Sequence, residues 1–217
     1  MSDFVTTEVA DKLLEHGLNL QLVEKPTLQI YGKEAHSQRS VGLFSDTVEG
    51  YAFSGQIQAS APLTEPLRAL LNLFNRRFST AANAILVNRY GPSDYISAHS
   101  DKKTELVNGL VLILSVGGDR TMKITSKNKA DKKLVVEVPL RHGEFLCMDG
   151  DFQTRYKHAI DEGETNSTIR VSFSARQHAT GPVKSKATVI NQTPTQKTTN
   201  NARLNTTQDN NANVQIQ

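Results

Sequence analysis

The amino-acid sequence predicts an α+β domain, mainly β, with helices near the N-terminus and a β-rich half after them. Two segments, near residues 10 and 70, place apolar side chains at helical spacing. From Asn83 the pattern changes to short apolar runs divided by turn formers. Such runs, at roughly 10-residue spacing, point to an antiparallel sandwich or small barrel.

In the first helix Thr6 or Thr7 serves as cap, Val9, Leu13 and Leu14 form the apolar face, and Gly17 is the stop. Leu18 to Ile30 alternates polar and apolar residues and reads as extended chain broken at Pro26. Residues 31–62 read as strands and long loops. The second helix has Thr64 as cap, Pro66 in its first turn and a core-facing stripe of Leu67, Leu70, Leu71, Phe74 and Phe78. The β-rich half holds runs at Ala84–Tyr90, Leu110–Val116, Met122–Thr125, Leu134–Val138, Glu144–Met148 and Ile169–Ala175. The Lys-rich stretch 123–133 reads as a solvated hairpin turn.

The expected organisation is one domain over residues 1–180, with 1–82 forming helices and a cover and 83–180 the β core. Residues 181–217 follow as a disordered tail. Asn, Gln and Thr make up nineteen of the 37 tail residues, with no aromatic residue to offset the entropy of ordering. The tail carries Lys184, Lys186, Lys197 and Arg203 against Asp209, which equals the net charge of +3 for the whole chain. Residues 1–180 are therefore formally neutral, which removes overall charge as an argument for a basic nucleic-acid-binding face. The tail reads as a solubilising extension or as a weak tether to an acidic polymer. The lone Cys147 excludes an internal disulfide, fits a reducing compartment, and reads as a small core residue in an apolar run. No stretch approaches the roughly 18 apolar residues of a membrane span, and the N-terminus lacks the order of a signal peptide. A monomer in the cytosol or nucleus is expected.

His99-Ser100-Asp101 is the first chemical feature. In extended chain, residues i and i+2 point the same way, so an imidazole and a carboxylate stand side by side. They are two of the three groups of a 2-His-1-carboxylate triad, which leaves metal positions open and marks non-haem iron(II) oxygenases. His158, after the run Glu144–Met148 and the turn at Gly150, is the candidate third ligand. His16, His36, His142 and His178 sit in settings that suggest exposure. In Arg170–Arg176 the even positions are Arg, Ser172, Ser and Arg; the odd ones are Val, Phe and Ala. The polar face lies either in water or inside a barrel, where Arg170 can grip a dicarboxylate through its planar fork. Asn88 and Tyr90 share one face of their strand and can serve the same ligand.

These motifs, in this order, resemble the AlkB-like 2-oxoglutarate dioxygenases. Asn88-Arg89-Tyr90 before His99-Ser100-Asp101 is similar to the family's Asn-x-Tyr before its His-x-Asp. Asp149–Gln153 with Tyr156-Lys157-His158 is similar to its approach to the second histidine, and Arg170 to Arg176 to its paired-arginine strand. Gly50-Tyr51-Ala52-Phe53-Ser54-Gly55 resembles its aromatic-Ser-Gly lid segment. The resemblance spans about residues 39 to 178.

The resemblance implies a double-stranded β-helix (jelly-roll) core with a substrate lid at its open end. It implies Fe(II) on His99, Asp101 and His158, with 2-oxoglutarate and O2 as cosubstrates. Arg170 would hold the distal carboxylate with Asn88, Tyr90 and Ser172, and Arg176 would lie near the metal-bound end. The implied activity is oxidative dealkylation of nitrogen atoms of DNA or RNA bases, each base flipped into the site under Tyr51, Phe53 and Ser54. Many relatives carry an acidic residue two positions past the metal Asp. Lys103 stands there instead, and a cation cannot accept a hydrogen bond from an exocyclic amino group. Either Glu105 substitutes or base preference has changed. A hydroxylase of protein side chains or small molecules would share the metal and cosubstrate motifs. A non-catalytic binding module would be expected to have lost at least one of them.

Overall fold

A computed structural model describes residues 4–30, 33–53, 56–101, 106–128, 130, 135–163, 168–180 and 188–190. Helix α1 (Thr7–Asn19) starts at Thr6, whose hydroxyl accepts the Val9 N–H at 3.4 Å. It buries Ala10 and Leu13 and leaves Val9 exposed. Gly17 does not stop this helix, which runs on to Asn19. Its role is close approach: a Cβ there would meet Val171 Cγ1 at 2.8 Å. Helix α2 (Glu65–Phe78) buries Leu67, Leu70, Leu71 and Phe74. Thr64 occupies its N-cap, but the Thr64 hydroxyl pairs with His16 Nε2 at 2.8 Å rather than with the helix end.

The chain is mainly β, as expected. Strands β1 (Thr27–Ile30) and β2 (Lys33–His36) form a hairpin of their own. The largest sheet has the order β11-β8-β13-β6-β3-β5-β14, with β4 also paired to β5. Its members are β3 (Ser40–Phe44), β4 (Gly50–Phe53), β5 (Gln56–Ala61), β6 (Ala84–Tyr90), β8 (Leu106–Gly117), β11 (Phe145–Met148), β13 (Arg170–His178) and β14 (Thr188–Ile190). A four-stranded antiparallel sheet has the order β10-β9-β12-β7, from β7 (Ile96–His99), β9 (Arg120–Ser126), β10 (Val135–Leu140) and β12 (Tyr156–Ile160). A short helix α3 (Phe152–Arg155) leads into β12.

Two apolar clusters set the layers. The first joins both helices to Ile85, Val87, Leu112, Leu114, Val171 and Phe173 of the large sheet. The second joins Tyr90, Val111 and Ile113 on the opposite face of that sheet to Met122, Leu140 and Ile160 of the small one. The small sheet therefore lies across the inner face, with helices on the outer face. Strand alternation sends Val171, Phe173 and Ala175 of β13 to the helices, and Arg170, Ser172 and Ser174 between the sheets.

Several expectations need correction. Cys147 is exposed, because β11 is the edge strand of the large sheet. His178 is buried at 4% exposure: β13 runs past Ala175, and the Asn83 side chain bonds both the N–H and C=O of His178. Within the stretch read as a disordered tail, the β-branched Thr188–Ile190 form β14, parallel to β5. Most of the turn between β9 and β10 lies outside the described residues.

Candidate active site

His99 is the last residue of β7, and His158 is its direct cross-strand partner on β12. Their rings are 4.2 Å apart between centroids. Asp101 lies beyond the end of β7, so strand alternation alone does not place its carboxylate. Asp101 Oδ1 nevertheless lies 3.8 Å from His99 Nε2. One ligand-type atom from each of His99, Asp101 and His158 falls within 4.8 Å of the other two.

Three details suit this trio to a cation. His99 Nδ1 lies 2.9 Å from the Ser97 carbonyl, an acceptor, so Nδ1 carries the proton and Nε2 keeps its lone pair. Burial lowers the pKa of His99, against the pull of Asp101. Burial, then the neighbouring His99, pushes His158 down to about 3, so both imidazoles are neutral at physiological pH. Burial alone would raise the Asp101 carboxyl, but the opposing charges, led by the Arg176 guanidinium, outweigh it and hold the group below its usual range. Among the described residues the buried atoms Asp101 Oδ2 and His158 Nδ1 have no hydrogen-bond partner, although Oδ2 lies 3.1 Å from the Arg176 guanidinium. An unsatisfied buried polar atom costs about 1–3 kcal/mol, and a bound cation would offset that cost.

The trio opens on a cavity of about 690 Å3 between the sheets, within the range of small-molecule sites, about 300–1,000 Å3. Its inner wall is the polar face of β13 and β6. The cross-strand register pairs Arg170 with Tyr90, Ser172 with Asn88 and Arg176 with Ala84. Arg170 is 1% exposed; its Nε donates to Ser115 Oγ at 2.9 Å, and its guanidinium lies over the Tyr90 ring at 5.1 Å. Arg170 Nη1 is buried without a partner, and no carboxylate pairs with Arg170 among the described residues. The alternating polar face of β13 thus lies inside the fold. An uncompensated buried cation is costly by several kcal/mol, so this wall of the cavity suits an anionic group.

Structure adds residues that the motifs did not suggest. Ser115 of β8 holds Arg170, and Arg39 Nε donates to Asn88 Oδ1 at 2.8 Å. Gln153 Oε1 accepts the Asp101 N–H at 2.8 Å. The outer cavity is lined by Leu28, His36, Arg39 and Tyr95, the last 36% exposed. Of the expected lid residues, Tyr51 and Phe53 occupy β4, in register with Gln58 and Gln56. Ser54, Lys103 and Glu105 lie outside the described residues.

Residues 1–208 match the 2OG-Fe(II) oxygenase superfamily. The chain belongs to that family. This dioxygenase is AlkB-like, being 26% identical over 157 residues to human "DNA oxidative demethylase ALKBH2", a match that covers 69% of the chain and 60% of the relative. It is 28% identical over 135 residues to human "Alpha-ketoglutarate-dependent dioxygenase alkB homolog 3", covering 58% of the chain and 47% of that protein. The dioxygenase thus spans about half to three-fifths of the length of these curated relatives. Among solved structures, "The structure of OsALKBH1" superposes with a TM-score of 0.59 at 13% identity, covering 82% of this chain and 96% of that one, which is a likeness of fold.

Proposed function

We propose that this dioxygenase uses iron(II) and 2-oxoglutarate to remove alkyl groups oxidatively from nitrogen atoms of DNA or RNA bases. The observation that carries the reading is one cavity lined both by the convergence of His99, Asp101 and His158 and by the buried guanidinium of Arg170, which has no carboxylate partner among the described residues. With 2-oxoglutarate and O2, the iron supplies the oxidising power that hydroxylates an N-alkyl carbon, which then leaves as an aldehyde.

The protein's part is to hold, orient and exclude. His99, Asp101 and His158 are the iron ligands. Arg170 grips the distal carboxylate of 2-oxoglutarate, with Ser115 fixing its plane and Asn88, Tyr90 and Ser172 flanking it. Arg176 neutralises charge at the end nearest the iron. The two facing sheets are read as a double-stranded β-helix over residues 83–180, and β4 and β5 as part of a lid. A target base enters between Tyr95 and the lid segment carrying Tyr51, Phe53 and Ser54, flipped from any duplex. Lys103, in the position where many relatives are acidic, shifts base preference, with Glu105 the nearest alternative acceptor.

The relation to a DNA demethylase and room in the cavity beyond the diacid site support a base as substrate. The formal neutrality of residues 1–180 favours a second reading, hydroxylation of a protein side chain or small molecule. Mass spectrometry of methylated DNA and RNA oligonucleotides incubated with enzyme, iron(II), ascorbate and 2-oxoglutarate separates the two. Loss of 14 mass units, about one CH2, with matching succinate supports dealkylation. Succinate formation without change in any oligonucleotide supports the second reading.

A further inference from the structure

Gln153 projects from the four-residue α3, whose end continues directly into the strand bearing His158. It is 2% exposed. Its Oε1 accepts the backbone N–H of Asp101 at 2.8 Å, and its Nε2 lies 3.7 Å from Met148 Sδ. Since Asp101 N–H can only donate, the amide oxygen must face Asp101, and the thioether receives one of the two amide N–H groups. Asp101 lies outside β7, so no strand ladder claims its N–H. The Gln153 backbone carbonyl accepts a hydrogen bond from Lys127 Nζ at 2.6 Å. One residue back, Ser100 Oγ donates to the Tyr156 carbonyl at 2.9 Å. Residues 99, 100 and 101 are therefore each tied to the segment 153–158: His99 by strand pairing, Ser100 by its hydroxyl, Asp101 through Gln153.

We infer that Gln153 is a positioning residue for the metal centre: by holding the Asp101 N–H it sets the carboxylate opposite the two imidazoles, and metal affinity depends on it. The inference rests on the reading of His99, Asp101 and His158 as metal ligands. Gln153 itself does not reach the trio through a ligand atom; its action passes through the Asp101 backbone. Groups that orient metal ligands typically carry a 10–100-fold effect on affinity.

The test uses the full chain and Co(II) as probe under anaerobic conditions, with the visible spectrum reporting both binding and coordination geometry. Gln153→Leu keeps the bulk and removes the acceptor; Gln153→Glu restores an acceptor oxygen. The expected result is Co(II) binding weakened roughly tenfold or more in Gln153→Leu, with an altered spectrum, and Gln153→Glu closer to wild type than to Gln153→Leu. A purely structural role would lower the melting temperature yet leave Co(II) affinity and spectrum of the folded variant at wild-type values, and that outcome overturns the inference. If Gln153→Leu does not fold, Gln153→Asn, whose shorter amide cannot reach Asp101, is read the same way. Asp101→Ala serves as control. Undiminished Co(II) binding there sinks the ligand assignment itself, whereas a weakened Asp101→Ala beside an unaffected Gln153→Leu sinks only the positioning role.

Discussion

The Arg176 guanidinium lies 3.1 Å from Asp101 Oδ2, and each side chain is about nine-tenths buried. The pair is close but misaligned, so Oδ2 accepts no hydrogen bond and keeps its lone pairs. Arg176 thus stabilises the carboxylate as an anion without occupying it. This arrangement suits the proposed role of Asp101 as an anionic metal ligand, because the charge is secured before a cation arrives.

Replacing Asp101 by Ala removes the single anion of the trio and leaves Arg176 buried without a counter-charge. Succinate formation should fall by about two orders of magnitude or more, beyond the 10–100-fold typical of outer groups that orient ligands. Wild-type succinate production by this variant would refute the triad.

Arg170→Lys tests the diacid grip. A lysine keeps the charge but not the planar fork or the bond to Ser115. Hydrogen bonds to charged groups contribute about 1.5–3 kcal/mol, so the KM for 2-oxoglutarate should rise roughly tenfold to a hundredfold. The kcat at saturating cosubstrate should change less. An unchanged KM would place the cosubstrate elsewhere.

The trio His99, Asp101 and His158 was legible as candidates from the His-x-Asp spacing and the strand-and-turn pattern before His158, and the structure brings the three together. Arg170 was legible as a residue but not as buried, since two-residue alternation does not say which face meets water. The cross-strand register with Tyr90 and Asn88 decides that. Strands β7 and β12 lack the apolar runs that mark their neighbours, because their inward positions hold His99 and His158. Gln153, Ser115 and Arg39 each work on a partner far along the chain, a relation that no local period encodes. His178 was misjudged for the same reason: its burial comes from Asn83, across the sheet.

Acid should destabilise the metal-free protein. His158 is held to about 3 when folded, against an ordinary value near 6.5. As pH falls through 6.5 the unfolded chain takes up a proton that the folded state refuses, so stability present above that pH is progressively lost toward 3. His99 and His16, both lowered first by burial, act in the same direction. From pH 7.5 to 5 the His158 contribution alone is about 2 kcal/mol. Urea unfolding of the apo-protein at the two pH values measures it. His158→Gln should show a shallower pH dependence than wild type; an equal slope would mean that another group governs the acid limb.

Removal of residues 181–217 separates the core from what lies on its edge. Among the described residues strand β14 pairs with Gln56–Gln58 of β5, on the side opposite β4, and with no residue of β6, β13 or the small sheet. The residues proposed to hold iron and the diacid all lie on or beside those other strands. Basal succinate formation in the absence of a prime substrate should therefore persist, and melting should fall by only a few degrees, since about 1 kcal/mol moves Tm by roughly 2–4 °C at this size. The loss belongs at β4 and β5: β5 gains a bare edge, and amide exchange across Gly50–Phe53 and Gln56–Gln58 should quicken. If β4 covers a bound base, turnover of a methylated oligonucleotide drops further than basal turnover does. Collapse of basal turnover, or unfolding at low temperature, would show that the segment after Thr180 supports the core itself.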